Sequence, residues 1–313
     1  GLWRRTPDLS MSLRAFVFPG QGSQYVGMGS DLAAGAEGAR RLFERADEVL
    51  GVPLSRICFE GPEDELRQTK NTQPAIFLHS MAAAEVMNDR HADMAAGHSL
   101  GEYSALVFAG ALTFEGGLRL VRLRGELMHR AGMEQPGTMA AVIGLEGDAV
   151  AEVCSTVASA GIVQPANYNS PGQVVISGSV SGVRAAMDLA KQRGAKMVRE
   201  LPVSGAFHSP LMESARKGLQ DALASTEIRD ARIPVYANVT AAPVQKSQEI
   251  RDLLLRQLTM PVRWEQSVAR MAADGAMDFV EIGPGKVLQG LVKRIAPAVR
   301  TRGVDKFSDL SAS

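Results

Sequence analysis

Short apolar runs that stop at glycine or proline recur in the outer parts of the chain. Three of them span residues 15–18, 93–97 and 278–282. Runs of this length bounded by turn residues predict buried strands. Helical patterns lie among them: one covers residues 102–110, and a longer one follows Thr113, a favourable N-cap residue, and ends near Ala131.

The pattern changes between residues 135 and 204. Strands are predicted at 138–145, 162–167, 173–178 and 196–201, and helices at 147–160 and 181–194. This β-α-β-β-α-β order is the ferredoxin-like arrangement. Because it lies in the middle of the chain and is entered at Pro136-Gly137, we interpret residues 135–204 as a small inserted subdomain.

The remaining segment predicts further helices and strands. Helices are predicted at 210–225, 248–258, 264–274 and from Lys286, with a strand at 235–238. Strands that alternate with helices on both sides of the insertion predict one mostly parallel sheet covered by helices. The fold class is therefore α/β, with a large domain made of residues 11–134 and 205–313. Residues 1–10 are interpreted as an expression remnant or a disordered extension.

Composition narrows the functional classes. The 313 residues are 45% hydrophobic, and 34 basic residues balance 34 acidic ones, so no global field attracts nucleic acid or an anionic membrane. The two cysteines, Cys58 and Cys154, form no CxxC and no zinc spacing, which disfavours a disulfide scaffold and a structural zinc site. No apolar stretch reaches the roughly 18 to 20 residues that span a bilayer, and no secretory signal is apparent. A cytoplasmic protein without nucleic-acid or membrane partners is expected.

A serine follows the second predicted strand in the segment Gly97-His-Ser-Leu-Gly101. This fits G-x-S-x-G, the nucleophile elbow, in which a strand turns sharply into a helix and exposes the serine. Glycines suit both flanks because the turn is crowded. The backbone N–H of Leu100 could stabilise an oxyanion at the helix N-terminus. Catalysis by Ser99 is favoured over a structural tight turn.

A catalytic serine needs a base, and the chain has five histidines. His79 and His129 fall in helical patterns and His91 in a charged segment, where satisfied or solvated histidines are the commoner interpretation. His98 is adjacent to the candidate nucleophile, which usually directs the side chain away from it. His208 precedes a predicted helix just after the insertion and is the candidate base. No acidic residue is obviously placed to complete a triad, so a dyad oriented by a helix dipole, a carbonyl or an amide is predicted.

Two further features allow a functional interpretation. The glycine-rich segment 18–24 follows the first strand, lacks the spacing of phosphate- and dinucleotide-binding loops, and is well placed to give a second oxyanion N–H. Arg124 lies among leucines on a helix with Arg119, Arg122 and Arg130, where a solvated face is the commoner interpretation. Alternatively, its planar guanidinium binds a substrate carboxylate.

Eight segments together carry a family resemblance. They are FPGQGSQYVGMG from Phe18, NTQPAIF from Asn71, GHSLGEYSAL from Gly97, LRG at Leu123, NYNSPGQVVISG from Asn167, GAFHSPLM from Gly205, PVRW from Pro261 and EIGPGKVL from Glu281. In this order they resemble the malonyl-CoA:acyl carrier protein transacylases of type II fatty acid synthesis, and the similar acyltransferase domains of polyketide synthases. The family fold is a hydrolase-like α/β domain interrupted by a ferredoxin-like subdomain.

The resemblance implies a role for each matching residue. Ser99 resembles the acylated nucleophile and His208 its base, with the N–H groups of Gln21 and Leu100 as the oxyanion hole. Arg124 resembles the arginine that grips the malonyl carboxylate, in place of a solvated one. Five further residues resemble substrate-site positions: Gln257, whose carbonyl orients the histidine, Phe207, which limits room for an α-methyl branch, Met128, Asn167 and Asn169.

The implied substrates are malonyl-CoA and acyl carrier protein, with no metal and no tightly bound cofactor. A monomer is the default expectation. Acyl carrier proteins are typically acidic, so a local basic patch is expected. Its candidates are Arg119, Arg122, Lys286, Lys293 and Arg294. Three alternatives remain open: a stand-alone acyltransferase that serves a polyketide synthase, a serine esterase with the same Ser99 and His208, and a non-catalytic scaffold that binds the carrier protein.

Overall fold

A six-stranded sheet forms the centre of the molecule in the computed structural model, which describes residues 12–203 and 205–312. Its strands are β1 (Leu13–Phe18), β2 (Met94–Gly97), β7 (Val235–Tyr236), β8 (Pro243–Val244), β9 (Ala276–Ile282) and β10 (Arg300–Val304). They are arranged in the order β10-β9-β1-β2-β7-β8, and every pair is parallel except β7 with β8. The predicted α/β class with a mostly parallel sheet is confirmed.

Helices cover both faces of this sheet. They are α1 (Ser30–Gly35), α2 (Glu37–Leu50), α3 (Leu54–Glu60), α4 (Glu63–Leu66), α5 (Thr69–Val86), α6 (Gly101–Phe108), α7 (Phe114–Glu134), α10 (Arg216–Ser225), α11 (Ser247–Gln257), α12 (Trp264–Ala273) and α13 (Val287–Ile295). Across residues 12–203 and 205–312, no helix has the length and apolar character that crossing a membrane requires.

The central strand β1 contributes side chains to two separate apolar cores, one on each face of the sheet. Phe16 and Phe18 pack on one side of the sheet, in a core to which α5 and α7 contribute buried side chains. Ala15 and Val17 pack on the other side, against α12 and α13. Successive side chains of a strand point to opposite faces, so a short, continuously apolar strand is what a sheet buried on both faces requires.

A second, antiparallel sheet occupies the middle of the chain. It consists of β3 (Thr138–Ile143), β4 (Val163–Ser170), β5 (Gln173–Gly178) and β6 (Met197–Glu200), in the order β4-β5-β3-β6. The helices α8 (Gly147–Thr156) and α9 (Val180–Gln192) pack on it around an apolar core of its own. The predicted β-α-β-β-α-β order is confirmed. The domain boundaries stay a prediction, and both the extension at residues 1–10 and the boundary residue Ser204 lie outside the described residues.

Several predicted elements are shorter than expected. The helix at 147–160 ends at Thr156 and continues as a separate 3-10 turn, and the helix at 210–225 begins as the 3-10 segment Pro210–Ala215 before α10. The strand at 235–238 pairs only over β7, because the chain turns at Ala237, whose N–H donates to the Ala242 carbonyl, and Asn238 bonds to other partners. The long helix α7 does begin after Thr113, whose side chain accepts the N–H of Gly116 at 3.0 Å.

The two sheets are joined next to the carboxyl ends of the main strands. Asn167 of β4 forms an isolated parallel bridge with Val262, the N–H of Tyr168 donates to the Val262 carbonyl at 2.9 Å, and the Val262 N–H donates to Ala166 at 2.7 Å. In the main sheet Phe18 pairs with Gly97, so the chain leaves β1 and β2 side by side. Ligands of open α/β sheets bind at this edge.

Candidate active site

The turn from β2 into α6 is a tight elbow. A Cβ at Gly97 would lie less than 3.0 Å from the backbone of Gly101, and one at Gly101 less than 3.0 Å from the carbonyl oxygen of Phe18. Glycine is therefore required at both positions. Ser99, between them, has a φ of 56°, a left-handed conformation that is unfavourable for residues other than glycine. The elbow geometry predicted from the sequence is present, and it points the serine side chain away from the sheet.

The glycine-rich loop after β1 packs directly on this elbow. A Cβ at Gly20 would lie less than 3.0 Å from the His98 carbonyl oxygen, so the two backbones touch. The next residue, Gln21, lines the same cavity as Leu100. Neither the Gln21 N–H nor the Leu100 N–H pairs with an acceptor in residues 12–203 and 205–312. Both N–H groups are therefore available to a ligand.

Ser99 is hydrogen-bonded to a buried histidine. The distance between Ser99 Oγ and His208 Nε2 is 2.8 Å, and the distance between His208 Nδ1 and the Gln257 carbonyl oxygen is 2.9 Å. Because that carbonyl can only accept, Nδ1 carries the hydrogen and Nε2 is left as the acceptor for the serine hydroxyl. The carbonyl of Gln257 thus orients the imidazole in the way an acidic residue does in a triad.

Burial keeps this imidazole neutral. Desolvation and the nearby positive charge of Arg124 lower the pKa of His208 to about 3, against the smaller opposing effect of its hydrogen bond to Gln257. A neutral imidazole with a free Nε2 lone pair is the form that accepts a proton. His208 itself has a φ of 55°, and its carbonyl accepts a hydrogen bond from Gln164 Nε2 at 2.8 Å.

Arg124 is buried and points into the site, so the solvated-face interpretation of this arginine is wrong. Its side chain is 1% exposed. One terminal nitrogen donates to Gln73 Oε1 at 2.8 Å, and the other to Gln257 Oε1 at 3.0 Å and to Ser99 Oγ at 3.1 Å. No carboxylate in the described part of the chain lies within ion-pair distance of it, although buried Glu102 acts on its charge from farther away, and its Nε has no hydrogen-bond partner there. A buried cation with only neutral acceptors is a site for an anion.

The side chains around Ser99 enclose a cavity of about 180 Å³. Nine of the ten sequence-predicted site residues line it: Gln21, Ser99, Leu100, Arg124, Met128, Asn167, Asn169, Phe207 and His208. The tenth, Gln257, is fully buried and touches Ser99, His208 and Arg124 from behind. The second sheet forms part of the cavity wall, through Met139 of β3, Asn167 and Asn169 of β4 and Val175 of β5.

His98 belongs to the site, although its side chain bonds to Asn169 and not to the nucleophile. The residue lines the same cavity as Ser99. Its Nε2 lies 2.8 Å from Asn169 Oδ1, and its ring centroid is 5.6 Å from that of Trp264. Burial lowers the pKa of His98, against a smaller effect of its hydrogen bond to Asn169. The side chain links the elbow to β4, which is a contact that spacing along the sequence does not reveal.

Four buried or half-buried polar residues of the site were not singled out from the sequence. They are Gln73, which holds Arg124; Glu102 and Asn238, which pair with each other; and Gln164, which holds His208. Gln73 and Glu102 stand inside segments that carry the resemblance. Polar side chains in otherwise apolar helices were a signal for these two, whereas Asn238 and Gln164 have no distinguishing pattern.

Comparison with known proteins agrees with this geometry. Residues 15–301 match the family described as the acyl transferase domain. The chain belongs to this family. The present structure has the same fold as solved relatives, since their structures superimpose on almost the entire chain.

Individual acyl transferases are similar over nearly the whole chain. The malonyl CoA-acyl carrier protein transacylase of Bacillus subtilis is 47% identical over 297 residues, covering 94% of each chain. That of Escherichia coli is 43% identical over 306 residues, covering 97% of this chain and 99% of its own. An acyl carrier protein S-malonyltransferase structure from Vibrio cholerae has a TM-score of 0.92 at 44% identity, covering 96% of this chain and 99% of its own.

A further structural relative is described together with a partner. It is a type II PKS acyl carrier protein in complex with its malonyl-transacylase. The matched chain has a TM-score of 0.93 at 42% identity, and the match covers 96% of the present chain and 98% of that one.

Proposed function

We propose that the protein transfers a malonyl group from malonyl-CoA to the phosphopantetheine thiol of acyl carrier protein, through a malonyl ester on Ser99. The observation that carries the proposal is that Ser99 Oγ lies within hydrogen-bond distance of both His208 Nε2 and the buried guanidinium of Arg124. A nucleophile, its base and a carboxylate-binding cation are thus combined in one small cavity. The relatives named malonyl CoA-acyl carrier protein transacylase support the substrate.

In the first half-reaction Ser99 attacks the thioester carbonyl while His208 Nε2 takes the hydroxyl proton. The Ser99 Oγ–carbonyl bond forms, and the N–H groups of Gln21 and Leu100 hold the tetrahedral oxyanion. Collapse breaks the carbon–sulfur bond, and the His208 proton goes to the departing thiolate of CoA. In the second half-reaction His208 takes the proton of the carrier's thiol, whose sulfur attacks the ester carbonyl. Collapse breaks the Ser99 Oγ–carbonyl bond, and His208 returns the proton to Ser99 Oγ.

Arg124 selects the acyl group in this proposal. A malonyl carboxylate supplies the negative charge that the buried guanidinium lacks, whereas an acetyl group leaves it unpaired. Gln73 and Gln257 hold the planar guanidinium from two sides, so the carboxylate meets an oriented cation. Phe207 and Met128 also line the cavity, and Phe207 limits the space for an α-methyl branch. Asn167 and Asn169, on β4, belong to the wall that faces the thioester.

The carrier-docking surface is proposed to include α13. Lys286, Lys293 and Arg294 are exposed there, and Arg294 donates to the carbonyl of Pro171, in the turn that follows Asn169 of the cavity wall. Arg119 is exposed on α7, whereas Arg122 is engaged by Glu126 and Asn71 and is a weaker candidate. Lys293→Glu is expected to raise the KM for carrier protein with malonyl loading unchanged. Lys191→Glu, on α9, is the control with equal charge change, and an equal effect of both variants would contradict the proposal.

Malonyl loading is tested by intact-protein mass spectrometry after mixing with malonyl-CoA. The wild-type chain should gain one malonyl group that carrier protein then removes, and Ser99→Ala should gain none. Arg124→Ala should load malonyl at least about tenfold more slowly, because hydrogen bonds to a charged group contribute about 1.5–3 kcal/mol. Arg130→Ala, which removes an exposed arginine of the same helix, should load normally. An adduct that water removes as fast as it forms would favour an esterase.

A second candidate is the same reaction in polyketide synthesis. The structural match to a malonyl-transacylase in complex with a type II PKS acyl carrier protein favours it. Discharge of the malonyl enzyme by carrier proteins of the two kinds, compared at equal concentration, separates the candidates through their kcat/KM ratio. A cytoplasmic, monomeric enzyme without a tightly bound cofactor stays our prediction.

A further inference from the structure

Asn238 lies beside the elbow because of the strand order. β7 runs parallel to β2, with Ala95 opposite Val235 and Ala96 opposite Tyr236. The residues that follow these two strands therefore emerge together. Asn238 comes two residues after β7 and is fully buried.

The side chain of Asn238 bridges the two sides of the elbow. Its Nδ2 donates to the Gly97 carbonyl at 2.7 Å, and its Oδ1 accepts the Ser99 N–H at 2.9 Å. The two bonds therefore reach the residues on either side of His98. Only a side chain with a donor and an acceptor on one planar group can make this pair of bonds, which explains an amide at this position.

Ser99 is thereby held at both of its backbone polar groups. Asn238 takes its N–H, and Gln257 Nε2 donates to its carbonyl at 2.9 Å. The two amides are also bonded to each other, since Gln257 Nε2 lies 3.1 Å from Asn238 Oδ1. A residue with a strained backbone persists only when several contacts fix its conformation. These bonds fix Ser99 at its φ of 56°.

The backbone of Asn238 is itself anchored from two directions. Its N–H donates to Glu102 Oε1 at 2.6 Å, and its carbonyl accepts the N–H of Arg263 at 3.0 Å. Glu102 is buried in the first turn of α6, the helix that the elbow starts. Asn238 is therefore fixed relative to α6 as well as to β2.

We infer that Asn238 is a positioning residue, which clamps the elbow so that Ser99 Oγ faces His208 and the Leu100 N–H faces the cavity. The Ser99 N–H is occupied by this clamp, which leaves the adjacent Leu100 N–H for the oxyanion. Asn238 does not line the cavity and acts only through Gly97, Ser99 and Gln257. The inference rests on the proposed function for its acyl substrate, but the clamp concerns the reactivity of Ser99 toward any electrophile.

The test compares Asn238→Leu with the wild-type chain in two reactions. One is the rate of malonyl loading from malonyl-CoA, and the other is the rate of Ser99 labelling by a fluorophosphonate, which needs no acyl recognition. Both rates should fall about 100-fold, the scale of a misplaced reacting group, with KM for malonyl-CoA within about threefold of wild type. If Asn238→Leu folds and both rates stay within about threefold of wild type, the inference is overturned.

If Asn238→Leu does not fold, Asn238→Asp tests whether Asn238 is a positioning residue. When protonated, the introduced carboxyl can donate to Gly97 and accept from Ser99, as the amide does; when ionised, it cannot donate. Its labelling rate divided by that of wild type at the same pH should therefore rise as pH falls, while a ratio that does not change with pH would overturn the inference. A wild-type chain that reacts with fluorophosphonate but not with malonyl-CoA would refute the proposed function and leave the clamp testable through labelling alone.

Discussion

Gly101→Ala tests the close packing of the elbow on the loop after β1. A Cβ at this position would lie less than 3.0 Å from the Phe18 carbonyl oxygen and 2.9 Å from that of Pro19. Both obstacles are backbone atoms at the end of the central strand, so neither can rotate away. Overpacking commonly costs about 1–3 kcal/mol, and with rigid backbone on the other side we expect a loss of about 3 kcal/mol in the free energy of unfolding.

Urea denaturation measures this loss as a lower midpoint at unchanged slope. The matched control is Gly290→Ala in α13, where an added Cβ meets no atom within 4 Å and should stabilise the helix by about 0.5–1 kcal/mol. Malonyl loading by folded Gly101→Ala should also be slower, because the loop carrying the Gln21 N–H is displaced. A loss below about 1 kcal/mol, or normal loading, would refute the close packing on which the site geometry depends.

Four further tests probe the site itself. With the pKa of His208 lowered to about 3, the base stays neutral and should cause no fall in the loading rate as pH drops from about 8 to 5; a midpoint near 6.5 that persists in Glu102→Gln would contradict this. Burial raises the pKa of Glu102 to about 7, so any inflection near neutrality should vanish in Glu102→Gln. Gln73→Leu removes one acceptor from Arg124 and should raise the malonyl-CoA KM about tenfold, with Arg130→Ala unaffected in the same steady-state assay. Phe207→Ala should enlarge the cavity and admit methylmalonyl-CoA, which competition between the two thioesters measures; unchanged selectivity would exclude Phe207 from substrate choice.

The elements that could be predicted from the sequence are bounded by turn or capping residues, or belong to a regular alternation of strand and helix patterns. The glycines at 97 and 101 marked the elbow, Thr113 marked the start of α7, and the insertion showed regular changes between strand and helix periods. For α5 the sequence indicates only a helical pattern around His79 and no bounds, because nearly all residues of this helix are buried, including Thr72 and Gln73. A helix buried on every side has no polar face and therefore no amphipathic period.

The site was predictable from the residues alone only in part. Ser99 followed from the elbow motif, while His208 was one of several candidates and Arg124 was more simply a solvated arginine. The family resemblance supplied the roles of His208 and Arg124. Their contacts with Ser99 depend on the packing of segments that are distant along the chain. Asn238 shows the limit: its function depends on the neighbouring strand β2, whose distance along the chain hides the contact.

The joint between the two sheets has a consequence for recombination of this enzyme with its relatives. The insertion contributes six residues to the cavity lining but neither Ser99 nor His208; they are Met139, Asn167, Asn169, Val175, Leu201 and Val203. Exchange of the whole insertion would therefore replace one wall of the cavity while the reacting groups stay native. Such a chimera must keep the contacts across the joint, among them the pairing of β4 with Val262, the bond from Gln164 to the His208 carbonyl and the bond between His98 and Asn169. Modules that keep these contacts would be interchangeable, so acceptance of new acyl groups and retention of the chemistry could be varied separately.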